Sequence, residues 1–277
     1  MANDITLYRM FGIDYFDAIL LSGDYQVKEV RELEEKRGLK AKDLELVGIP
    51  YMDTMLKRVK ENGVNAFGAG ENGRTVLVAP SWGESAILSR YGAKLIDAIK
   101  DAGFKVIIRP HPQSYTAEKD LIDKLKSKYE GDSLVEWNSD NDNFDVLSKS
   151  DVLISDFSGV MFDYALVFDK PIIYADTSFD AGPYDAYWLD EEPWTFSVLP
   201  RLGVQLKEED FGNIKNIING CIDDPKYKQG RDEARKETWC HIGEGAKRTV
   251  EFVTKKKEEL NKANETAEEK EVNYGTH

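Results

Sequence analysis

Between Thr75 and Ala175 the sequence alternates short, almost wholly apolar runs with longer amphipathic ones, and few folds accept that rhythm. The apolar runs are "TVLVAP", "FKVIIRPHP", "SLVEW", "DVLIS" and "PIIYA". Between them lie "ESAILSRYGAKLIDAIKDAG", "AEKDLIDKLKSKYEG" and "NFDVLSKS", patterned as helices, and the apolar helix that follows "DVLIS". Strands that read as continuous apolar runs are buried on both faces, as parallel strands are when helices cover both sides of their sheet. The expectation is an α/β fold in which this region supplies about five parallel strands with helices on both faces.

Upstream, "YFDAILLSG" reads as a strand ending at Gly23 and "QVKEVRELEEKRG" as a charged amphipathic helix stopped by Gly38. "LELVGIP" is a second strand with a turn, and "YMDTMLKRVKEN" a helix. The Gly- and Asn-rich stretch 62–75 reads as a linker. The chain therefore divides into a first unit with its linker (1–70), a ligand-binding α/β domain (71–255) and a polar tail (256–277) that frays at its end. "DFGNIKNIINGCIDD" and "EGAKRTVEFVTKKKEELNKA" are expected helices near the end.

Charge narrows the function. Lys and Arg number 37 against 51 Asp and Glu, a net charge of −14, which argues against sequence-independent nucleic-acid binding. Backbone amides at a helix end can still bind an anion. Cys221 and Cys240 form neither a CxxC nor a metal set, and three histidines leave little for a metal site, so no metal and no cofactor are expected. No apolar run approaches membrane-spanning length, and the first residues lack the layout of a signal peptide. The expected setting is the cytoplasm.

In parallel α/β sheets, ligands sit outside the carboxyl ends of the strands. Those ends read Ala79-Pro80-Ser81-Trp82, Arg109-Pro110-His111-Pro112, Ser155-Asp156-Phe157-Ser158-Gly159 and Tyr174-Ala175-Asp176. Ser158 and Gly159 stand where a helix begins, so its free amides can receive a phosphate, with hydroxyls from Ser155 and Ser158 adding bonds. On the segment alone, an N-cap Ser158 and a strand-end Ser155 are the simpler explanation, and the rest of the edge favours the anion site. Strand alternation sends Arg109 and His111 to one side, where they can stabilise a diphosphate, or His111 can donate a proton; an internal ion pair for Arg109 is the plainer alternative. Ser81 is a further ligand candidate, and Trp82 reads mainly as packing. Asp156 either orders its turn or meets a ligand hydroxyl. Asp163, inside the apolar helix, reads as structural, and Lys255 to Lys257 as a solvated face.

Four pieces in order, "VGIPYMD", "VLVAPSW", "VIIRPHP" and "SDVLISDFSGVMFDYALVFDKPIIYA", resemble the CDP-glycerol glycerophosphotransferase family, the teichoic-acid primases and polymerases. The likeness runs from about Tyr15 to "GEGAKRTVEFV". It implies a two-lobed GT-B architecture whose Rossmann-type C-terminal lobe holds a CDP-alcohol donor. The diphosphate would lie at Ser155, Ser158 and Gly159, Arg109 and His111 near the phosphates, and cytosine near the backbone after "RPHP". The implied reaction displaces CMP by a hydroxyl of a polyol-phosphate or lipid-linked acceptor, without a metal, at the inner face of the cell membrane.

Family members carry a complete N-terminal lobe with a histidine that looks like the general base, whereas no histidine here precedes His111. The resemblance thus implies an incomplete N-terminal lobe, to be completed by a complementary one. "AGPYDAYWLDEEPWTFSV", with Trp188 and Trp194, also departs from the polymerases. Two alternatives stand beside the transferase. One is a UDP-sugar glycosyltransferase or epimerase on the same fold, for which Glu244 would grip ribose. The other is a silent nucleotide-binding module.

Overall fold

The structure is a computed structural model that describes residues 2–64, 73–156, 158–175 and 181–274, with side chains to residue 265. The core of the linker expected at 62–75 lies outside the described residues, as do Phe157 and Asp176.

Two parallel sheets organise the chain. The small one pairs β1 (Ala18–Leu21) with β2 (Asp43–Leu46), joined through α1 (Asp24–Arg37) and followed by α2 (Pro50–Glu61). The large one contains β3 (Thr75–Val78), β4 (Lys105–Ile108), β5 (Val135–Trp137), β6 (Val152–Ser155), β7 (Ile172–Ala175) and β8 (Gly203–Leu206). Its strand order is β5-β4-β3-β6-β7-β8, parallel throughout. The helices are α3 (Ile87–Arg90), α4 (Gly92–Asp101), α5 (Ser114–Ala117), α6 (Lys119–Lys128), α7 (Phe144–Lys149), α8 (Val160–Phe162), α9 (Trp194–Ser197), α10 (Leu199–Leu202), α11 (Ile214–Asp223), α12 (Pro225–Thr238) and α13 (Gly245–Tyr274). α8 runs on without a break into a π-helical turn, Asp163–Val167.

The five strands expected from Thr75 to Ala175 all form, and β8 adds a sixth. Val76, Leu77 and Val78 of β3 and Val152, Leu153 and Ile154 of β6 are wholly buried, as strands covered on both faces must be. Two apolar clusters lie on opposite faces. Leu77, Ile107 and Leu153 join one, while Val76, Val78, Ile108 and Ile154 join the other. The helix expected from "ESAILSRYGAKLIDAIKDAG" is two, because Gly92 takes φ 45 and breaks the run. The tail expected from residue 256 is instead the continuation of α13.

Lys170 shows how much of the long motif is architecture. It is fully buried, and its ammonium donates to the carbonyls of Leu147, Ser148 and Ser150 at 3.1, 2.7 and 2.6 Å. Those carbonyls end α7, where no further turn can satisfy them. Beside it, Asp169 accepts from Arg231 of α12 at 2.9 Å.

The end of the chain closes back on the first unit. Gly23 and Gly48, just past β1 and β2, abut backbone: a Cβ would meet the Glu237 carbonyl at 2.0 Å and the Cys240 carbonyl at 2.3 Å. Cys240 donates its amide to the Ser22 carbonyl at 2.9 Å. Asp53 of α2 accepts from Trp239 Nε1 and from the amides of Gly243 and Gly245 at 2.9, 2.7 and 2.9 Å, capping the approach to α13. Trp194 is buried too, stacked on Tyr25 at 4.8 Å and donating to Glu237 at 2.8 Å.

Two stability predictions follow from these contacts. Asp53→Ala strands three donors, and denaturant unfolding is expected to show a loss on the order of 2–4 kcal/mol. Asp163 is buried, and desolvation pushes its carboxyl from 3.8 up to about 7. Its neutral form is the one the fold favours, so the stabilisation is complete below pH 4 and is lost as pH rises toward about 7. Asp163→Asn should therefore melt higher than the parent at pH 8, with the difference closing near pH 4.

Candidate functional site at the strand switch point

The chain leaves β3, builds β4 and β5 on one side, then returns to place β6 on the other. The loops after β3 and β6 therefore diverge and leave a crevice at their carboxyl ends. Residues 79–86, Asp156 and 158–160 form its walls.

Two candidates prove to build the crevice. Ser155 is fully buried, and its hydroxyl donates to the Ala79 carbonyl at 2.6 Å. Asp156, 2% exposed, accepts the Ser81 amide at 2.6 Å and the Ile87 amide at 3.0 Å. Of the two roles open to Asp156 in the sequence, ordering the turn is the one its bonds fill. Glu118 braces the same loop, accepting from the Gly83 amide at 3.0 Å and the Ser89 hydroxyl at 2.5 Å. Nothing local in the sequence signals that role.

Other candidates face the opening. Ser81 is half-buried, with its hydroxyl unbonded among the described residues. Ser158 and Gly159 are half-buried at the start of α8, and the Met161 and Phe162 amides turn back to their carbonyls at 3.1 and 3.2 Å. The amides of Gly159 and Val160 have no acceptor among the described residues, so they point outward with the helix's partial positive charge. Gly159 occupies the N-cap position, and the Ser158 hydroxyl makes no hydrogen bond among the described residues. Gly159 has φ −58, a helical value open to any residue; the absence of a side chain is what keeps this end uncovered.

Arg109 and His111 diverge, because β4 ends at Ile108 and the alternation of a strand does not extend past it. The Arg109 guanidinium turns toward β5, donating to Asn138 Oδ1 and to the Asp140 carbonyl, the latter at 2.8 Å. It makes hydrogen bonds there in place of the ion pair of the alternative reading, and fixes the loop after β5. His111 is exposed, its ring centroid 6.5 Å from that of half-exposed Trp82. Its Nδ1 accepts the Gln113 amide at 3.1 Å, which assigns the neutral ring's hydrogen to Nε2, a donor without an acceptor among the described residues. Trp82 thus stands with His111 at the mouth and is not buried as packing.

Sequence reasoning missed Tyr51 and Asn143, which meet at 3.4 Å between α2 and the loop before α7. Elsewhere, a cavity of about 420 Å³ lies among Asp24, Tyr25, Lys28, Trp194, Lys236 and Glu237. Glu244, the alternative ribose ligand, pairs with Arg248 at 2.9 Å. Among the described residues no cluster could hold a metal ion, and no helix is long and apolar enough to cross a membrane.

Comparison with known proteins identifies the fold and the family. The Minor teichoic acid biosynthesis protein GgaB of Bacillus subtilis (strain 168) is 33% identical over 101 residues, 34% of this chain and 10% of that protein. The wall teichoic acid polymerase TagF, in a crystal soaked with CDPG, is similar over 94% of this chain and 65% of its own, with 18% identity and a TM-score of 0.50. A UDP-GlcNAc 2-epimerase from Neisseria meningitidis bound to UDP-GlcNAc shares the fold at 16% identity and a TM-score of 0.52, over 80% of this chain and 58% of its own. The fold is therefore GT-B-like, and this chain spans a tenth of GgaB and about two thirds of TagF. The family model for CDP-glycerol:poly(glycerophosphate) glycerophosphotransferases matches residues 17–253, and the chain belongs to that family.

Proposed function

We propose that the crevice between β3 and β6 binds a CDP-alcohol and that the protein transfers its polyol phosphate to an acceptor hydroxyl in teichoic-acid-like polymer synthesis. The observation that carries this reading is the uncovered start of α8 at the switch point, with unbonded amides at Gly159 and Val160. A diphosphate there gains charge-assisted bonds from those amides and from the Ser158 hydroxyl. His111 Nε2–H and the Ser81 hydroxyl reach in from the neighbouring loops. Trp82 offers an aromatic face to a pyrimidine or ribose. Ser155, Asp156 and Arg109 act through the loops they hold.

In the transfer, the acceptor oxygen bonds to the phosphorus carrying the polyol, and the bond from that phosphorus to the bridging oxygen breaks. CMP departs with the electron pair, its charge stabilised by the amides and His111. Family membership and the likeness to GgaB support the cytidine donor and the polymer acceptor. A lipid-linked acceptor would bring the protein to the inner face of the cell membrane, and a complementary lobe would supply further acceptor contacts.

The shared fold of the epimerase favours one other reading, a UDP-sugar in the same crevice. Calorimetric titration with CDP-glycerol, CDP and UDP separates the two, and cytidine selectivity is the expected result. Ser158→Ala and His111→Ala should each weaken CDP binding by about 12- to 160-fold, the range for one hydrogen bond to a charged group, with melting unchanged. Unaltered affinity in both variants contradicts the donor site, and tighter binding of UDP supports the alternative.

A further inference from the structure

We propose that Glu118 is a positioning residue of the donor site, holding Trp82 opposite His111; the inference rests on the donor reading above. Trp82 is half-exposed and makes no side-chain hydrogen bond among the described residues, so its place is set by the backbone on either side of it. On one side the Ser81 amide donates to Asp156 at 2.6 Å. On the other the Gly83 amide donates to Glu118 Oε1 at 3.0 Å, at a turn whose φ of 101 suits glycine. Asp156 belongs to the loop after β6 and Glu118 to the segment after β4, the two neighbours of β3. The two carboxylates therefore bracket Trp82 from opposite sides.

Glu118 is tied closely to His111. The His111 carbonyl accepts the Ser114 amide at 2.9 Å, and the carbonyl of buried Ser114 accepts the Glu118 amide at 3.0 Å. These two turns join the carboxylate to the histidine, and the carboxylate joins the histidine's segment to the Trp82 loop. The 6.5 Å spacing of the two rings is kept by that connection.

Nor does the Glu118 side chain serve its own helix. It stands at the N-cap of α6, where a side-chain oxygen commonly accepts an amide of the first turn, and makes no such bond. Its Oε1 instead accepts the Gly83 amide and, at 2.5 Å, the Ser89 hydroxyl, 35 and 29 residues upstream. Bonds to an ionised acceptor are stronger than neutral ones. With Asp156 also taking the Ile87 amide at 3.0 Å, the run from Ser81 to Ser89 is held at four points by two carboxylates. A loop fixed before the ligand arrives lowers the cost of ordering it on binding.

The test uses the whole chain, with calorimetric titration of CDP and thermal melting as readouts. Glu118→Ala should weaken CDP binding by about 2- to 13-fold, the cost of ordering one freed side chain, in a variant that still melts cooperatively. Glu118→Gln keeps an oxygen in the place of Oε1 and should recover most of that loss. In a double-mutant cycle Glu118→Ala should add little to Trp82→Ala, because the first acts through the second. Parental affinity in a folded Glu118→Ala variant overturns the inference, as do losses that add in the double variant or a Gln variant as weak as the Ala one. If Glu118→Ala does not fold, Ser89→Ala, which removes one of the two donors, carries the test. A loss of about 2-fold or more is then expected, and parental affinity overturns the inference. No CDP binding by the parent chain instead sinks the donor site, and parental affinity in Trp82→Ala removes the aromatic face from it; the inference falls with either.

Discussion

The candidate site depends on the cross-link between β3 and β6. Ser155 and Asp156 reach back 69 to 76 residues to hold Ala79, Ser81 and Ile87, so the two loops that diverge at the switch point are fixed to each other. Both side chains are buried, and their bonds act in low dielectric, where an unmade hydrogen bond is expensive. With that frame rigid, the start of α8 keeps its amides free without help from a capping side chain. Preorganised dipoles of this kind stabilise a transferring phosphate without reorganising during the reaction.

A second constraint is the seam between the small sheet and the end of the chain. Gly23 and Gly48 admit backbone that no side chain would tolerate, and Asp53 gathers three donors around the entry to α13. α2 is thereby held against the turn Asp163–Val167 that continues the helix beginning at Val160. The long motif from Ser150 to Ala175 thus combines two jobs. Ser155, Asp156, Asp169 and Lys170 hold architecture, while Ser158 and Gly159 face the groove.

The sheet was legible because strands buried on both faces leave unbroken apolar runs, and its polar carboxyl edge was legible as the place for a ligand. β8 was not, since "GVQL" is short and carries exposed Gln205. α12 was missed because its surface is densely charged, with Lys228, Asp232, Glu233 and Arg235 masking the buried Tyr227, Arg231 and Ala234. Within the site, residue types pointed to the right edge but not to each side chain's direction. Arg109 and His111 diverge because the strand stops one residue before the first of them, and Ser155 and Asp156 spend their bonds on a distant loop. Asp163, read in the sequence as an acid inside an apolar helix, is buried there.

The most direct test of this account is an amide NMR titration of the chain with CDP, following Ser158, Gly159 and Val160. The account predicts that these amides shift and saturate with one common affinity, together with the His111 ring. Saturable CDP binding that moves resonances elsewhere and leaves these unmoved would contradict it.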